Sequence, residues 1–442
     1  MKRNLNRPIK FNPPQVLALI FILLVVLGGL LLKLPIAAEK PVSWIDAFFI
    51  AASAATVTGL TSVDPGSTFT TFGEVVIMLL IQVGGLGIMT FAILVMVMLR
   101  KKIGFRQRLI MQEALNQPSI GGIIRLVRIV MLFSFSIEAF SVFALSLRWA
   151  PEYGWGKGIY YALFHTIAAF NNAGFALWPD NLSSFEVDPV VNLMIAFLII
   201  VGGLGFTVMA DLFIKNQFHK LTLHTKVMVF GTIIINVIAF LFILATEYDN
   251  PKTLGGLSGA GKLWGAFFQA ITTRTAGFNT IDITGLEPST SLFMMFLMFV
   301  GAGSTSTGGG IKLTTFVVII LAVTAFLKGK SETNLFKRRI QNEVILRSVA
   351  IAVLSFLFVF LMCLILSITE KGSMLQIMFE VVSAFGTVGL TLGLTSSLSI
   401  FGKCVIILVM LFGKLGPLTI AFSLTRKEKT KIRYPNGDIY TG

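Results

Sequence analysis

Four short segments of the chain end on a glycine in closely matching settings. They are Thr56-Val57-Thr58-Gly59, Asn171-Asn172-Ala173-Gly174, Arg274-Thr275-Ala276-Gly277 and Gly386-Thr387-Val388-Gly389, and each is followed by Leu or Phe. Their side chains do not make a catalytic set, with no nucleophile beside a base. What they share is a backbone property. Glycine reaches φ angles closed to other residues and has no side chain to narrow a path. Such a loop can turn its carbonyl oxygens to one side, and rings of backbone carbonyls replace the hydration shell of a monovalent cation. The expected chemistry is ion coordination, not bond making.

The glycines are 115, 103 and 112 residues apart. That period is too long for a solenoid unit and fits four similar modules that each donate one loop to a common centre. Eight apolar runs approach the ~20 residues that cross a bilayer core: 16–32, 74–99, 123–147, 190–213, 223–245, 291–326 (with a break), 344–368 and 403–424. Within each pair lies an apolar stretch of about a dozen residues, too short to span and suited to a re-entrant segment. These cover 44–55, 159–170, 263–272 and 374–385, and each leads into one of the glycine loops. The predicted module is long helix, half-helix, loop, long helix. Non-helical backbone at membrane depth survives only where protein buries it or it lines a water-filled cavity. The half-helices aim their partly negative C-termini at the centre, which favours a cation. Single glycines in membrane bundles usually serve tight helix packing. Four in the same position after four half-helices favour an ion filter.

Composition agrees with a membrane protein. The chain is 55% hydrophobic and 13% charged, with 36 Lys and Arg against 21 acids and a net charge of +15, whereas soluble domains are about a quarter charged. In a soluble protein that excess would raise nucleic acid as a partner; here it follows the spans. Basic clusters at 2–10, 100–108, 215–226, 328–339 and 426–433 alternate with acid-bearing connections that include Asp64, Asp180, Asp282 and Glu287. The positive-inside rule then gives both termini inside and the four loops on the outer side. Cys363 and Cys404 sit in apolar runs and imply no disulfide framework. The first apolar run has no small-residue cleavage site behind it and reads as a retained helix.

The sixth run is interrupted by Gly301-Ala302-Gly303-Ser304-Thr305-Ser306-Thr307-Gly308-Gly309-Gly310. Five glycines and four hydroxyl residues in ten positions break a helix, each interior glycine costing about 1 kcal/mol relative to alanine. The matching places elsewhere hold only Gly84-Gly85-Leu86-Gly87, Gly202-Gly203-Leu204-Gly205 and Gly413-Lys414-Leu415-Gly416. Lys414 is therefore an ionisable group at membrane depth, which is costly and faces a cavity or a partner. Arg274 lies in the third loop itself, and its guanidinium is expected to point off axis and brace the loop. Gly256–Leu263 approaches a phosphate-binding loop but has no preceding strand and no Ser or Thr for magnesium. His165, His219 and His224 lack metal-ligand spacing.

With these motifs the chain resembles the Trk/Ktr/HKT superfamily of potassium transporters, and among them the membrane subunits of bacterial Ktr systems (the KtrB/KtrD type). The likeness covers nearly the whole chain. It includes the four loops, Gly301-Ala302-Gly303-Ser304, Gly310-Ile311-Lys312-Leu313-Thr314-Thr315-Phe316 and an Ile-Arg-Tyr-Pro-Asn-Gly stretch near the end. The resemblance implies an all-α integral membrane fold of eight spans, both termini inside, as four pseudo-repeats around one pore. Their bounds would be 1–100, 101–215, 216–330 and 331–425, with a cytosolic tail over 426–442. It makes Gly59, Gly174, Gly277 and Gly389 the filter glycines. It makes 301–311 an intramembrane gate loop under the filter, with Lys414 near the path. Relatives with serine at the first filter position select sodium; Gly59 implies potassium. Further implications are a homodimer with the tail at its contact, a cytosolic nucleotide-binding ring of the RCK type as partner, and sodium as an activator. Location in a bacterial plasma membrane among lipid, no organic cofactor, no nucleic acid and no enzymatic activity complete the expectation. Alternatives are a sodium or unselective pathway of the same fold, or an alternating-access carrier, which four loops on one side disfavour.

Overall fold

The computed structural model describes residues 13–87, 123–215 and 217–417. The basic clusters expected at 2–10, 100–108 and 426–433, and the C-terminal tail, lie outside the described residues. The helices are α1 (Pro13–Leu32), α2 (Trp44–Thr56), the single turn α3 (Pro65–Thr68), α4 (Thr71–Leu86), α5 (Ile123–Tyr153), α6 (Trp155–Phe170), α7 (Pro189–Leu204), α8 (Phe206–Ile214), α9 (Leu223–Glu247) and α10 (Gly259–Thr272). They continue with α11 (Pro288–Phe299), α12 (Leu313–Leu327), α13 (Asn342–Thr369), α14 (Met374–Gly386) and α15 (Ile400–Leu415).

Helices α1, α5, α9 and α13 are long and apolar enough to cross a membrane, and α7 with α8 makes a fifth span if the bent pair counts as one. Their outer faces are apolar: Ile233, Ile234, Val237, Ile238 and Leu241 on α9 and Phe356, Leu357, Phe360, Leu361 and Leu364 on α13 are exposed. A soluble protein would bury such faces; a lipid-facing helix does not need to. The short helices α2, α6, α10 and α14 instead have nearly all of their C-terminal halves buried. At 1.5 Å per residue they are roughly 20 Å long and end partway through a bilayer core.

Packing closes on itself. Helix α4 packs on α2 and on the next short helix α6, and α7 on α6 and α10. Helix α11 then packs on α14, and α15 on α14 and back on α2. The Lys403–Asp46 ion pair, 2.8 Å and largely buried, ties the last of these joints.

Two expectations need correction. The runs 74–99, 190–213 and 403–424 read as continuous spans, but their helices stop at Gly87, Gly205 and Gly416, whose φ angles are 83°, 103° and 86°. Beyond Gly205 the chain leaves as α8 at 96° to α7. Hydropathy is blind to such an inversion, which falls on the last glycine of Gly202-Gly203-Leu204-Gly205; the remainders of the runs 74–99 and 403–424, beyond 87 and 417, lie outside the described residues. The connection after α12, expected as a solvated basic loop, holds a hairpin of β1 (Asn334–Leu335) and β2 (Arg338–Arg339). Phe336 and Lys337 at its tip both have positive φ, as a type I′ turn requires.

Candidate functional site

The four short helices deliver the four glycine loops. Ser43, Ser258 and Ser373 cap the starts of α2, α10 and α14 through their side-chain oxygens, as N-cap serines do. At the other end each loop repeats one backbone pattern. Val57, Asn172, Thr275 and Thr387, two residues before each glycine, take left-handed φ angles of 60°, 58°, 71° and 50°. Thr58, Ala173, Ala276 and Val388 do not, and the glycines again do, at 90°, 65°, 76° and 93°. Alternating the sign of φ turns successive peptide planes to the same side. The N–H groups go back to the parent helix: Thr58 to Ser53 O (2.8 Å), Ala173 to Ala168 O (2.7 Å), Ala276 to Thr272 O (3.0 Å) and Val388 to Ser383 O (2.9 Å). Gly59 and Gly389 also donate their N–H to the hydroxyls of Ser53 and Ser383. With the donors used on the helix side, the carbonyls are free to face away from it.

The loops meet in a closed cycle. A Cβ at Gly59 would strike the carbonyl oxygen of Ala173, and one at Gly277 that of Val388. One at Gly389 would strike Thr58 O, and one at Gly174 would stand 2.8 Å from Ala276 O. Each glycine thus abuts the next loop, in chain order, and the fourth abuts the first. Behind them the same economy of space recurs. Gly84, Gly202 and Gly413 lie against the carbonyls of Ala55, Phe170 and Phe385 at the short-helix ends. The loops are fully buried at Thr56, Asn171, Ala173, Ala276 and Val388.

The four glycines line an open cavity of about 490 Å³, together with Asp64, Asp180 and Asp282. Each aspartate also caps its own turn, through the N–H of Ser67, Ser184 and Thr284 respectively. Asparagine caps equally well, so the triple change Asp64→Asn, Asp180→Asn, Asp282→Asn removes charge and keeps the turns. Its cation uptake should fall severalfold at ~10 mM ionic strength, where the Debye length is about 30 Å, and little at ~150 mM, where it is about 8 Å. Initial rates at the two ionic strengths check this; a deficit independent of salt would mean the acids act only as caps.

The Gly-rich segment between α11 and α12 packs against the opposite end of the loops, where the left-handed residues sit. Thr307 Oγ1 donates to Asn172 Oδ1 (3.3 Å), Gly309 N–H to Thr387 Oγ1 (2.7 Å), and Gly308 lies against the Thr275 side chain. Asn172 in turn donates to Thr275 Oγ1 at 3.2 Å. Gly301 packs on Gly309, and Gly310 takes a left-handed φ of 69° beside Gly386. On the flank, Gly303 N–H reaches Gly203 O (2.9 Å) and Thr305 engages Phe206 and Thr207 at the α7–α8 break. Ser304 pairs with Thr314, and Ser306 with Gly303 O.

Two ammonium groups fasten this segment. Lys414 Nζ donates to Thr307 O at 2.5 Å, and Lys312 Nζ to the adjacent Gly308 O at 2.6 Å. Among the described residues neither has a carboxylate partner. Lys312 carries no role in the sequence reading above, although a lone lysine opening an apolar helix is a signal that could have singled it out.

Arg274 is buried beside Thr232, Asn236 and Ile199 in a small void between α7 and α9, away from the glycine cycle. Its Nε is buried without a hydrogen-bond partner among the described residues. Gln82 and Glu138 were also missed, being far in sequence from what they hold, as were Ser53 and Ser383, six residues before their glycines, which no residue pattern sets apart from other helix serines. Lys262, in the segment that resembles a phosphate-binding loop, donates to Tyr248 O.

Comparison with known proteins gives the family and the fold. A family model described as TrkH, cation transport protein, matches residues 12–431. The chain is 54% identical to the Ktr system potassium uptake protein B of Bacillus subtilis, covering 98% of both chains. It is 43% identical to the protein of the same name from Vibrio alginolyticus, over 98% of this chain and 96% of that one. The potassium/sodium uptake protein NtpJ of Enterococcus hirae is 37% identical over 100% of this chain and 99% of its own length. Among solved structures, the potassium transporter TrkH from Vibrio parahaemolyticus superposes with a TM-score of 0.73 over 96% of this chain and 87% of that one, at 19% identity, a likeness of fold. The chain is a multi-pass membrane protein of the TrkH family of cation transport proteins.

Proposed function

We propose that the protein takes up potassium across the plasma membrane through the four glycine loops, acting as selectivity filter, with residues 301–311 as the gate. The observation that carries this reading is the closed cycle in which each glycine abuts the next loop's carbonyl. It supports an arrangement of eight spans, both termini inside, as four pseudo-repeats around one pore. A carbonyl cage at one depth suits a dehydrated monovalent cation, and it disfavours an alternating-access site between inverted repeats. Retention of Gly59 favours potassium over sodium. The name of the Enterococcus hirae relative, a potassium/sodium uptake protein, keeps sodium as a second transported or activating ion.

The Ktr-system names of the relatives support a partner subunit, read here as a nucleotide-binding ring of the RCK type docked on the cytosolic face of a homodimer. The basic hairpin at Phe336–Arg339 is exposed and belongs to the side on which such a ring, or anionic lipid, would sit. The test is growth and potassium uptake in a host lacking its own potassium transporters, with and without a co-expressed Ktr regulatory subunit. Rescue at low external potassium is the expected result; no uptake in either setting, with the protein in the membrane, would overturn the reading.

A further inference from the structure

Glu138 lies within the apolar span α5 and is 6% exposed. It has no ion pair among the described residues. A carboxyl at membrane depth is expensive and is retained for function more often than for stability. Its partner is Gln82 of α4, itself 8% exposed, whose Nε2 donates to both carboxylate oxygens at 3.0 and 3.1 Å. That fixes the direction of the amide, since only the NH2 end can serve a carboxylate. Gln82 Oε1 is then left to accept, and it accepts from Asn171 Nδ2 at 2.6 Å. Asn171 is fully buried, ends α6 and opens the second glycine loop; its Nδ2 also reaches Ile167 O at 2.9 Å.

A chain of hydrogen bonds therefore runs from a span of the second module, through the second helix of the first, into the second loop. Among the described residues the other loops have no such tether: their equivalent positions are Thr56, Arg274 and Gly386, and Thr56 bonds locally, to Ala52 and Ser53 carbonyls and to Thr58. Helix α4 is also shaped for it, because a Cβ at Gly85 would strike the Asn171 amide.

We propose that Gln82 and Glu138 are positioning residues for ion selectivity: the carboxylate orients the glutamine, and the glutamine holds Asn171 so that the Asn171–Gly174 carbonyls keep their place in the cycle. This rests on the filter reading above. Selectivity in a carbonyl site depends on how many oxygens face the ion and how firmly they are held. Folding alone would be served as well by two apolar residues, because replacing both partners of a buried hydrogen bond together is nearly neutral.

The test follows from that asymmetry. The double variant Gln82→Leu/Glu138→Leu, reconstituted in liposomes, should be obtained in normal yield and show a roughly fivefold or greater fall in potassium-over-sodium preference, the scale of one lost hydrogen bond between neutral groups such as Asn171 and Gln82. Glu138→Gln keeps an acceptor for Gln82 and should restore most of that preference. Asn171→Leu cuts the same link from the loop side; it should reproduce the fall and add nothing on the double background. Wild-type preference in the double variant, or in Asn171→Leu if the double variant cannot be purified, overturns the proposal while Gly59→Ser still loses preference. Wild-type preference in Gly59→Ser as well would take down the filter reading and this inference with it.

Discussion

Replacing the loop glycines by serine one at a time should weaken potassium-over-sodium preference in a fixed order, with Gly59 and Gly389 the most sensitive and Gly174 the least. Two costs add at each position. A side chain at φ near 90° is outside the ordinary left-handed region, and Gly59 and Gly389 stand at 90° and 93°; such strain costs of order 1–3 kcal/mol. The second cost falls on the neighbour. At Gly59, Gly277 and Gly389 an added Cβ collides with a carbonyl oxygen of the adjacent loop, so that oxygen must move. The displaced atom is one that would coordinate the ion. Gly174, at 65° and with the nearest oxygen 2.8 Å away, demands the smallest adjustment, and Gly277 falls between. A displacement that costs ~1.4 kcal/mol of differential binding is tenfold in preference. We expect about tenfold or more at Gly59 and Gly389 and a few-fold at Gly174, measured as competition of sodium against potassium in uptake by proteoliposomes. Unchanged preference at all four positions would remove the filter assignment, and greatest damage at Gly174 would break the geometric account.

How much of this was readable in advance divides along a physical line. The four short helices and their loops were legible because they leave local signals: a dozen apolar residues, then a glycine in a fixed frame, four times over. The break in the sixth apolar run was legible for the same reason, since glycine and hydroxyl residues concentrate there. The endings at Gly87, Gly205 and Gly416 were not, because a single inverted φ in an apolar run leaves hydropathy unchanged. The supports of the site were invisible for a different reason. Lys312 on Gly308, Ser53 and Ser383 on the loop glycines, and Gln82 between Glu138 and Asn171 depend on who faces whom across 4 to 89 residues of chain. No period in the sequence encodes that. Arg274 shows the converse case: its place in the third loop was plain, yet its buried Nε finds no hydrogen-bond partner among the described residues.

The largest effect on flux should come from the two lysines under the loops. With Lys414 and Lys312 on consecutive carbonyls of the Gly-rich segment, the segment is held at its tightest point, between the Asn172, Thr275 and Thr387 side chains. A hydrogen bond from a charged donor contributes about 1.5–3 kcal/mol. If the closed arrangement dominates, removing one such bond raises the open population by about ten- to a hundredfold, until opening ceases to limit the rate. Lys414→Ala should therefore increase potassium passage in the absence of any regulatory subunit, and Lys312→Ala/Lys414→Ala should approach the flux of a deletion over 303–310, which lacks the obstruction altogether. Preference for potassium should stay as it was, because the glycine cycle is untouched. An ammonium near the path also repels a permeating cation, by ~4 kcal/mol at ~4 Å with an effective dielectric near 20, and the alanine variants lose that as well. Lys414→Arg separates the two contributions. Arginine keeps the charge but presents a broad planar fork that does not fit a single carbonyl as a lysine does. Low flux in Lys414→Arg would assign the barrier to charge, and high flux would assign it to the tether. Unchanged flux in Lys312→Ala/Lys414→Ala, with normal yield in detergent, would reduce residues 301–310 to a static kink and end their role as a gate.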